Sequence, residues 1–448
     1  MAAAPPLDTQ DKPTLLRSLS LAQGTAINMI DMVGIGPFLV VSMVTGALQG
    51  PACILAWLLG ALLAYTDGMV WSELGARWPE AGGSYAFLRK LYGNGWLGKL
   101  MPFLFVWQTV ILAPLTMASA AIGFSQYLNY LIPLGPLAQK AVSGGLVALV
   151  VVVLYRKIHV VGNISIILGV ITIGTILWII ASGTIHFNAA QAFHWDLSGF
   201  HASSLLCAAI GHATLKTVYS YLGYYNVVNL GAEIKKPERN IPRSIFLSVT
   251  VIALLYLGMQ WALLGNLPWR EIGASHFVIS TYIEKIYNQR VAAVATGLIL
   301  VIASSSLFAL TLGYSRVPYA AAVQNDFFPV FAKLHPRHRF PHVSLLVLGA
   351  LGFIFSLLFK MEAAITAIVV IRILIQFLGQ SIGLIRWHRL EPNDRRPYRM
   401  PLYPLPAILS ILIWLFIFLS SPPIYIAFAL GIIGLGTLLF FVKTLRFL

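Results

Sequence analysis

Charged residues are scarce in this chain of 448 residues. Asp, Glu, Lys and Arg together make up 10% of it, whereas a soluble globular protein carries about 25%. Hydrophobic residues reach 58%, and the mean hydropathy is +0.81. So few charges cannot cover a water-soluble body of this size, which excludes a soluble enzyme, a DNA-binding protein and a disordered chain. The composition predicts a polytopic membrane protein.

Patterns that carry enzyme chemistry are missing as well. The two cysteines, Cys53 and Cys207, offer neither a disulfide framework nor a zinc-ligand spacing. The sequence contains no His-Glu-x-x-His pattern and no Walker motif. His186, His194 and His201 are too widely spaced for a compact ligand set. We therefore expect no enzyme activity, no ATP-driven transport, no metal site and no organic cofactor.

Apolar segments of about 20 residues, the length that crosses a bilayer, recur along the chain. Their side chains do not alternate in polarity as the strands of a membrane barrel would, so an all-α helical bundle is predicted. The twelve predicted spans are 20–46, 51–75, 97–131, 138–155, 160–182, 203–231, 244–265, 291–314, 342–360, 363–388, 402–420 and 423–442.

Basic residues concentrate on one face of this topology. With the N-terminus inside, 23 Lys and Arg residues fall in cytoplasmic segments and only five outside, namely Lys140, Arg270, Lys285, Arg290 and Lys360. Cytoplasmic loops of membrane proteins carry such an excess. The net charge of +15 therefore indicates orientation in the plasma (cell inner) membrane, with both termini cytoplasmic, and not a nucleic-acid partner. Residues 1–19 are predicted to form a cytoplasmic tail.

Two spans contain interruptions at mid-depth. The first span carries Gly34, Gly36 and Pro37; glycine tolerates unwinding, and Pro37 suits the first turn of a second half-helix. The sixth span carries Gly223 within the polar segment 219–226. Interruptions at matching positions of two halves are typical of transporters with inverted repeats. Close helix packing at small residues is the alternative interpretation.

Four segments then carry a family resemblance. Residues 34–38 (GIGPF) resemble a G-S-G-I-F motif, and residues 72–85 match S-E-L-x-x-x-x-P-x-x-G-G-x-Y. Residues 233–243 are similar to E-x-x-x-P-x-R-N-x-P-R, and residues 314–329 to R-x-x-Y-A-M-A-x-D-x-x-x-P. In this order the motifs resemble those of the amino acid–polyamine–organocation transporters. Within this family, the presence of Asn226 and Asn229 resembles the L-type amino acid transporter branch.

The resemblance implies a LeuT-type fold with discontinuous helices 1 and 6. Residues 20–182 would form the first inverted repeat (helices 1–5) and 203–388 the second (helices 6–10). Residues 402–448 would hold peripheral helices 11 and 12 and a short C-terminal tail. It also implies secondary transport of amino acids by alternating access. Because loop 132–140 lacks cysteine, no covalent heavy-chain partner is expected.

Neutral amino acids are the expected substrates, because a basic side chain would favour a further pocket acid and Asp31 is the only clear one. An amine, polyamine or cationic amino acid transporter or exchanger remains the alternative. A receptor or structural subunit that uses the fold without flux is a separate hypothesis.

The chemistry of a zwitterion indicates where it would bind. Free N–H groups at the start of a half-helix suit a carboxylate, and carbonyls freed at a helix break suit an ammonium. The resemblance adds an aromatic lid at Tyr219. The predicted substrate-binding residues are Asp31, Gly34, Ile35, Gly36, Tyr219, Ser220, Tyr221 and Gly223.

The sequence does not decide whether H⁺ or Na⁺ is the coupling ion. Gly169 aligns where L-type relatives have a lysine that replaces sodium, so that cation is missing. Helix 8 carries a run of three serines, 304–306; in this run Ser304 and Ser305 could complete a sodium site, or the hydroxyls could simply bond between helices.

Asp31 is a carboxylate at mid-depth, where an unpaired charge costs several kcal/mol. A structural ion pair, proton coupling and contact with a substrate amine are all open for it. Lys216 and Arg372 lie within spans and are its possible cationic partners, and Asp67 in the second span is another possible partner.

Overall fold

The computed structural model describes residues 17, 19–80, 82–155, 161–194, 203–336 and 340–446. In this part of the chain the only β-type pairing is an isolated parallel bridge between Leu19 and Ile234; the remaining regular structure is helical. The helices are α1 (Leu21–Met32), α2 (Gly36–Leu48), α3 (Cys53–Arg77), α4 (Ser84–Tyr92), α5 (Trp96–Leu131), α6 (Pro136–Leu154), α7 (Val161–Ser182), α8 (Ala189–Ala192), α9 (Ser203–Tyr221), α10 (Asn226–Asn229), α11 (Pro237–Asn266), α12 (Trp269–Ala274), α13 (Val278–Ile286), α14 (Gln289–Tyr314), α15 (Arg316–Val323), α16 (His342–Leu358), α17 (Met361–Arg372), α18 (Gly379–Leu390), α19 (Leu405–Leu419) and α20 (Pro423–Arg446).

Seven helical stretches among the described residues are long and apolar enough to cross a membrane alone, and the bent pair α1 and α2 would make an eighth. The shorter apolar helices α16 and α19 and residues 167–182 of α7 overlap further predicted spans. The prediction of an all-helical, polytopic membrane protein is therefore confirmed. Twelve crossings stay a prediction, since these shorter helices fall below the length of a full span. Most of the predicted tail, 1–19, lies outside the described residues.

Both predicted interruptions occur. Helix α1 ends at Met32 and α2 begins at Gly36, with a bend of 47° between them. Pro37 stands in the first turn of α2, where its missing N–H is no loss. Helix α9 ends at Tyr221, and the chain resumes a short helix at Asn226. Between them Gly223 adopts φ +116°, which a residue with a side chain rarely does.

Two local features differ from the sequence prediction. Helix α11 begins at Pro237 instead of residue 244, because proline is well tolerated in the first turn of a helix. A π-helical turn, Ile373–Leu378, joins α17 to α18 directly after Arg372. Such turns occur often at functional sites, and no hydrophobic pattern indicated this one.

Helix α3 packs against α9, α11 and α19. Its Trp57 and Trp71 are completely buried. Trp71 stacks on Tyr225, just before α10, with ring centroids 4.3 Å apart. The second interruption is therefore held against a rigid helix of the core.

Candidate functional site

The two interruptions meet backbone to backbone. A Cβ atom added to Gly223 would lie 2.8 Å from the amide nitrogen of Met32 and 2.9 Å from the carbonyl carbon of Asp31. Real Cβ atoms do not approach so closely, so only glycine allows this crossing. Beside it lies a small cavity of about 40 Å³.

Seven of the predicted site residues line this cavity, and three do not. The seven are Asp31, Gly34, Ile35, Gly36, Tyr219, Ser220 and Gly223. Tyr221 points the other way: its hydroxyl donates to the carbonyl oxygen of Trp57 at 3.4 Å, and its ring packs edge-on against that indole. Residues two apart on a helix face different directions, so Tyr219 and Tyr221 cannot share one pocket through their side chains.

Ser304 and Ser305 are the other two predicted residues outside the cavity. Their hydroxyls donate to carbonyl oxygens of their own helix, at 2.9 Å to Leu300 and 2.7 Å to Val301. The third member of the run, Ser306, lines the cavity. Its Oγ lies 2.7 Å from where a Cβ of Gly34 would stand. The sequence could identify the serine run but not its rotation about the helix axis.

Tyr219 covers the start of α2. A Cβ on Gly36 would lie 2.6 Å from Cε1 of the Tyr219 ring, so the glycine lets the ring rest directly on the broken segment. The hydroxyl forms a 2.8 Å hydrogen bond with Oγ of Ser119 on α5. The ring thus lines the cavity between α2 and α5, and its role as a lid over substrate stays a prediction.

Two opposite charges line the cavity without touching. Oδ1 of Asp31 is buried and has no hydrogen-bond partner among the described residues. The guanidinium of Arg372, only 2% exposed, donates to the hydroxyls of Tyr225 and Tyr314, while its Nε has no partner in the described chain. Arginine stays charged in proteins. The cavity therefore holds a cation and a carboxyl group, each with unused hydrogen-bonding capacity.

The other buried charges are engaged elsewhere. Nζ of Lys216 pairs with Oε1 of Glu362 at 2.6 Å. Asp67, fully buried, accepts hydrogen bonds from four side chains on two helices and the second helix break: Trp71 (2.7 Å), Ser410 (3.0 Å), Trp414 (3.4 Å) and Tyr224. Neither Lys216 nor Asp67 contacts Asp31, so these two candidate partners are excluded by the structure.

Two residues that sequence reasoning missed support the breaks. Nδ2 of Asn28 on α1 donates to the carbonyl oxygen of Tyr224 at 2.6 Å, and its Oδ1 accepts from the amide of Val227 at 2.8 Å. The hydroxyl of Tyr256 on α11 lies 2.9 Å from the carbonyl oxygen of Met32 and 3.0 Å from that of Ser220. These side chains satisfy backbone groups that an interrupted helix leaves free.

Gly169 lies on the face of α7 that meets α1. A Cβ there would make an ordinary contact, 3.6 Å from that of Ala26. The position thus adjoins α1 as the alignment implied, but it brings no cation. No group of three or more His, Cys, Asp or Glu side chains that could hold a metal occurs in the described part of the chain; His201 lies outside that part.

Comparison with known proteins adds independent information. The sequence model of the amino acid permease family matches residues 19–440. The mouse cationic amino acid transporter 4 is 25% identical over 86% of this chain, which spans only 62% of that relative's length. The serine/threonine exchanger of Bacillus subtilis is 25% identical over 89% of this chain and 88% of its own. The methylthioribose transporter of that species is 23% identical, over 97% and 95%.

Proposed function

The chain belongs to the amino acid permease family, a family of transporters and not of enzymes, and on that premise we propose that it is a secondary active transporter of neutral amino acids. The observation that carries the proposal is the cavity where Gly223 crosses the Asp31–Met32 peptide between two interrupted helices. Ligand sites of secondary transporters form at such breaks.

We propose twelve membrane crossings, arranged as two inverted repeats of five helices with α19 and α20 peripheral. Both termini would face the cytoplasm of the cell's inner membrane. The support is the overlap of every predicted span with a helix or broken helix and the one-sided distribution of basic residues. Alternating access would move one helix bundle against the other around the cavity.

The charges around the cavity favour a zwitterion. Asp31 and Arg372 carry opposite signs, so a bound zwitterion leaves the buried site neutral, whereas a polyamine would bring several positive charges beside a permanently charged guanidinium. The ring of Tyr219 packs directly on Gly36 at the cavity, which favours a small amino acid over a large one. N–H groups near Gly36 and the guanidinium can bind carboxylate, and Asp31 can bind ammonium.

For the coupling ion we propose the proton. Oδ1 of Asp31 is a buried carboxyl oxygen at the cavity that has no hydrogen-bond partner among the described residues, and intramembrane carboxyl groups commonly mark proton relays. Sodium has weaker support, because Ser304 and Ser305 bond within their own helix.

Flux measurements test the function. The purified protein in proteoliposomes should accumulate radiolabelled small neutral amino acids, faster with an inward proton gradient and unchanged when choline replaces sodium. The panel should include a polyamine, a cationic amino acid and methylthioribose. Uptake of one of these alone would replace the proposed substrate class, and binding without any flux would indicate a receptor.

Tyr219 provides a matched pair of variants for the lid role. Tyr219→Phe keeps the ring on Gly36 and loses only the bond to Ser119, so uptake should persist at a reduced rate. Tyr219→Ala removes the ring and should abolish uptake while membrane expression is retained. Normal uptake by Tyr219→Ala would exclude the lid.

A further inference from the structure

A second cavity lies far from the transport site, between the end of α18 and the start of α19. It is an open groove in which the centre of a water molecule can range over about 600 Å³. The charge distribution assigns this end of the bundle to the cytoplasmic face of the membrane. No step of the proposed transport uses this groove.

The linker beside the groove is strongly basic. Segment 386–399 carries five arginines against two acids, Glu391 and Asp394. Asp394 is already engaged by Nη2 of Arg77 at 2.8 Å, and this hydrogen bond lowers the pKa of the Asp394 carboxyl group. Arg389 lines the groove, is exposed, and has no hydrogen bond or ion pair within the described chain. An uncommitted guanidinium in a concave site is suited to a phosphate group.

The floor of the groove is rigid. The rings of His388 and Tyr403 stack with centroids 3.9 Å apart, and Nε2 of His388 lies 2.6 Å from Oε1 of the buried Glu73. The guanidinium of Arg396 sits over the ring of Trp387 at 5.2 Å. These contacts hold Arg396 and the floor in place, so a ligand would find the groove already formed.

The outer wall of the groove is apolar and faces away from the bundle. Ile408 is 42% exposed, and on the same helix Leu405 and Leu412 are 59% and 57% exposed. Side chains of this kind on a membrane helix lie against acyl chains. A soluble phosphate compound would use the arginine but not this wall. A phosphate site that opens onto an acyl-facing surface fits an amphiphile.

We propose that this groove is a binding site for an anionic glycerophospholipid of the cytoplasmic leaflet. Its phosphate would lie beside Arg389, with Arg396 behind it, and its acyl chains would run along Ile408 and α19. Basic pockets between helices on the cytoplasmic side bind such head groups. Because the floor is tied to Glu73 of α3, we expect the bound lipid to stabilise the contact between α3 and α18.

Lipid titrations of the purified full-length protein test this site. In native mass spectra, phosphatidylglycerol should remain bound to the protein and phosphatidylcholine should not. Phosphatidylglycerol alone should also raise the unfolding temperature of the protein. Arg389→Gln should weaken phosphatidylglycerol binding about fivefold, the effect of one interfacial cation. Arg399→Gln is the matched control, since Arg399 is an exposed arginine of the same linker that does not line the groove, and it should bind as the unmodified protein does.

Three results would overturn the proposal. Equal losses in Arg389→Gln and Arg399→Gln would mean general charge attraction. If inorganic phosphate displaced the lipid at a concentration similar to that at which the lipid itself binds, free phosphate would be identified as the ligand. Equal binding of the two lipids would exclude recognition of charge. Ile408→Gln separates these cases further, because it should weaken the lipid while leaving any binding of inorganic phosphate unchanged.

Discussion

Neutralising Asp31 and Arg372, singly and together, distinguishes a structural charge pair from a transport site. No nitrogen–oxygen contact within 4.0 Å joins them among the described atoms. At an effective dielectric constant of about 20 their attraction is therefore below about 4 kcal/mol. Asp31→Asn or Arg372→Gln removes that attraction and leaves the other charge uncompensated, so each should lower the free energy of unfolding by about 3 kcal/mol.

The double variant separates the two roles. Asp31→Asn with Arg372→Gln leaves no uncompensated charge, so about 1–3 kcal/mol of stability should return relative to the sum of the single changes. Uptake should not return. If the two groups bind the ends of a zwitterion, all three variants lose charge-assisted hydrogen bonds to substrate, and uptake should stay at least about tenfold lower, equivalent to about 1.4 kcal/mol.

The assays are thermal unfolding of the purified protein and radiolabelled uptake in proteoliposomes at matched protein density. Lys216 and Glu362 form a contact pair that does not line the cavity and serve as the control. Their double neutralisation to Gln should change stability little, because Glu362 is 64% exposed at its side chain, and it should retain uptake. Recovery of uptake together with stability in the Asp31/Arg372 double variant would refute the binding role.

Three further predictions follow from the site geometry. Gly223→Ala should lower the free energy of unfolding by about 3 kcal/mol or more and abolish uptake, because φ +116° and the close approach to α1 leave no room for a Cβ. Gly431 has open space around it, so the control variant Gly431→Ala should leave thermal unfolding and uptake unchanged. Asp67→Asn should lower stability by about 1–3 kcal/mol in thermal unfolding. Each carboxyl oxygen of Asp67 accepts from an indole N–H, which can only donate, so the NH₂ group of the asparagine would face an indole N–H in either orientation of the amide. An unchanged unfolding temperature would contradict this. Ser306→Ala should alter uptake kinetics and Ser304→Ala should not, as only Ser306 lines the cavity; the reverse order would favour the original sodium-site interpretation.

The interruptions could be predicted from the sequence because their causes are local. Pro37 has no N–H to donate and Gly36 no side chain to resist unwinding, so a break near them follows from two adjacent residues. The break at Gly223 could be predicted for the same reason. The side chains that stabilise the two breaks could not be predicted from the sequence. Asn28 meets the amide of Val227 across 199 positions of sequence, and nothing near either residue indicates that they are partners.

The rotation of each helix about its axis also could not be predicted from the sequence. A run such as Ser304 to Ser306 has hydroxyls on three sides of a helix, and only packing against Gly34, in the break between α1 and α2, selects Ser306. The same applies to Tyr221, which shares a helix with Tyr219 but contacts Trp57. Helices inside a membrane bundle carry apolar residues on every side, so they lack the single apolar stripe that orients a helix of a soluble protein. The sequence therefore predicted Ser304, Ser305 and Tyr221 at the cavity, one or two positions away from Ser306 and Tyr219, which do line it.

Asp31 and Asp67 are the same residue type, each inside a predicted span, and the sequence could not distinguish their roles. Asp67 is surrounded by four donors from α3, the second helix break and α19, so its hydrogen-bonding capacity is used within the fold. Oδ1 of Asp31 is a buried oxygen as well, and it meets none among the described residues. A buried carboxyl oxygen without a hydrogen-bond partner calls for an explanation beyond the resting fold. Because Asp31 faces the cavity beside Arg372, that explanation is supplied most directly by a ligand or a proton, and transport is the activity that brings both.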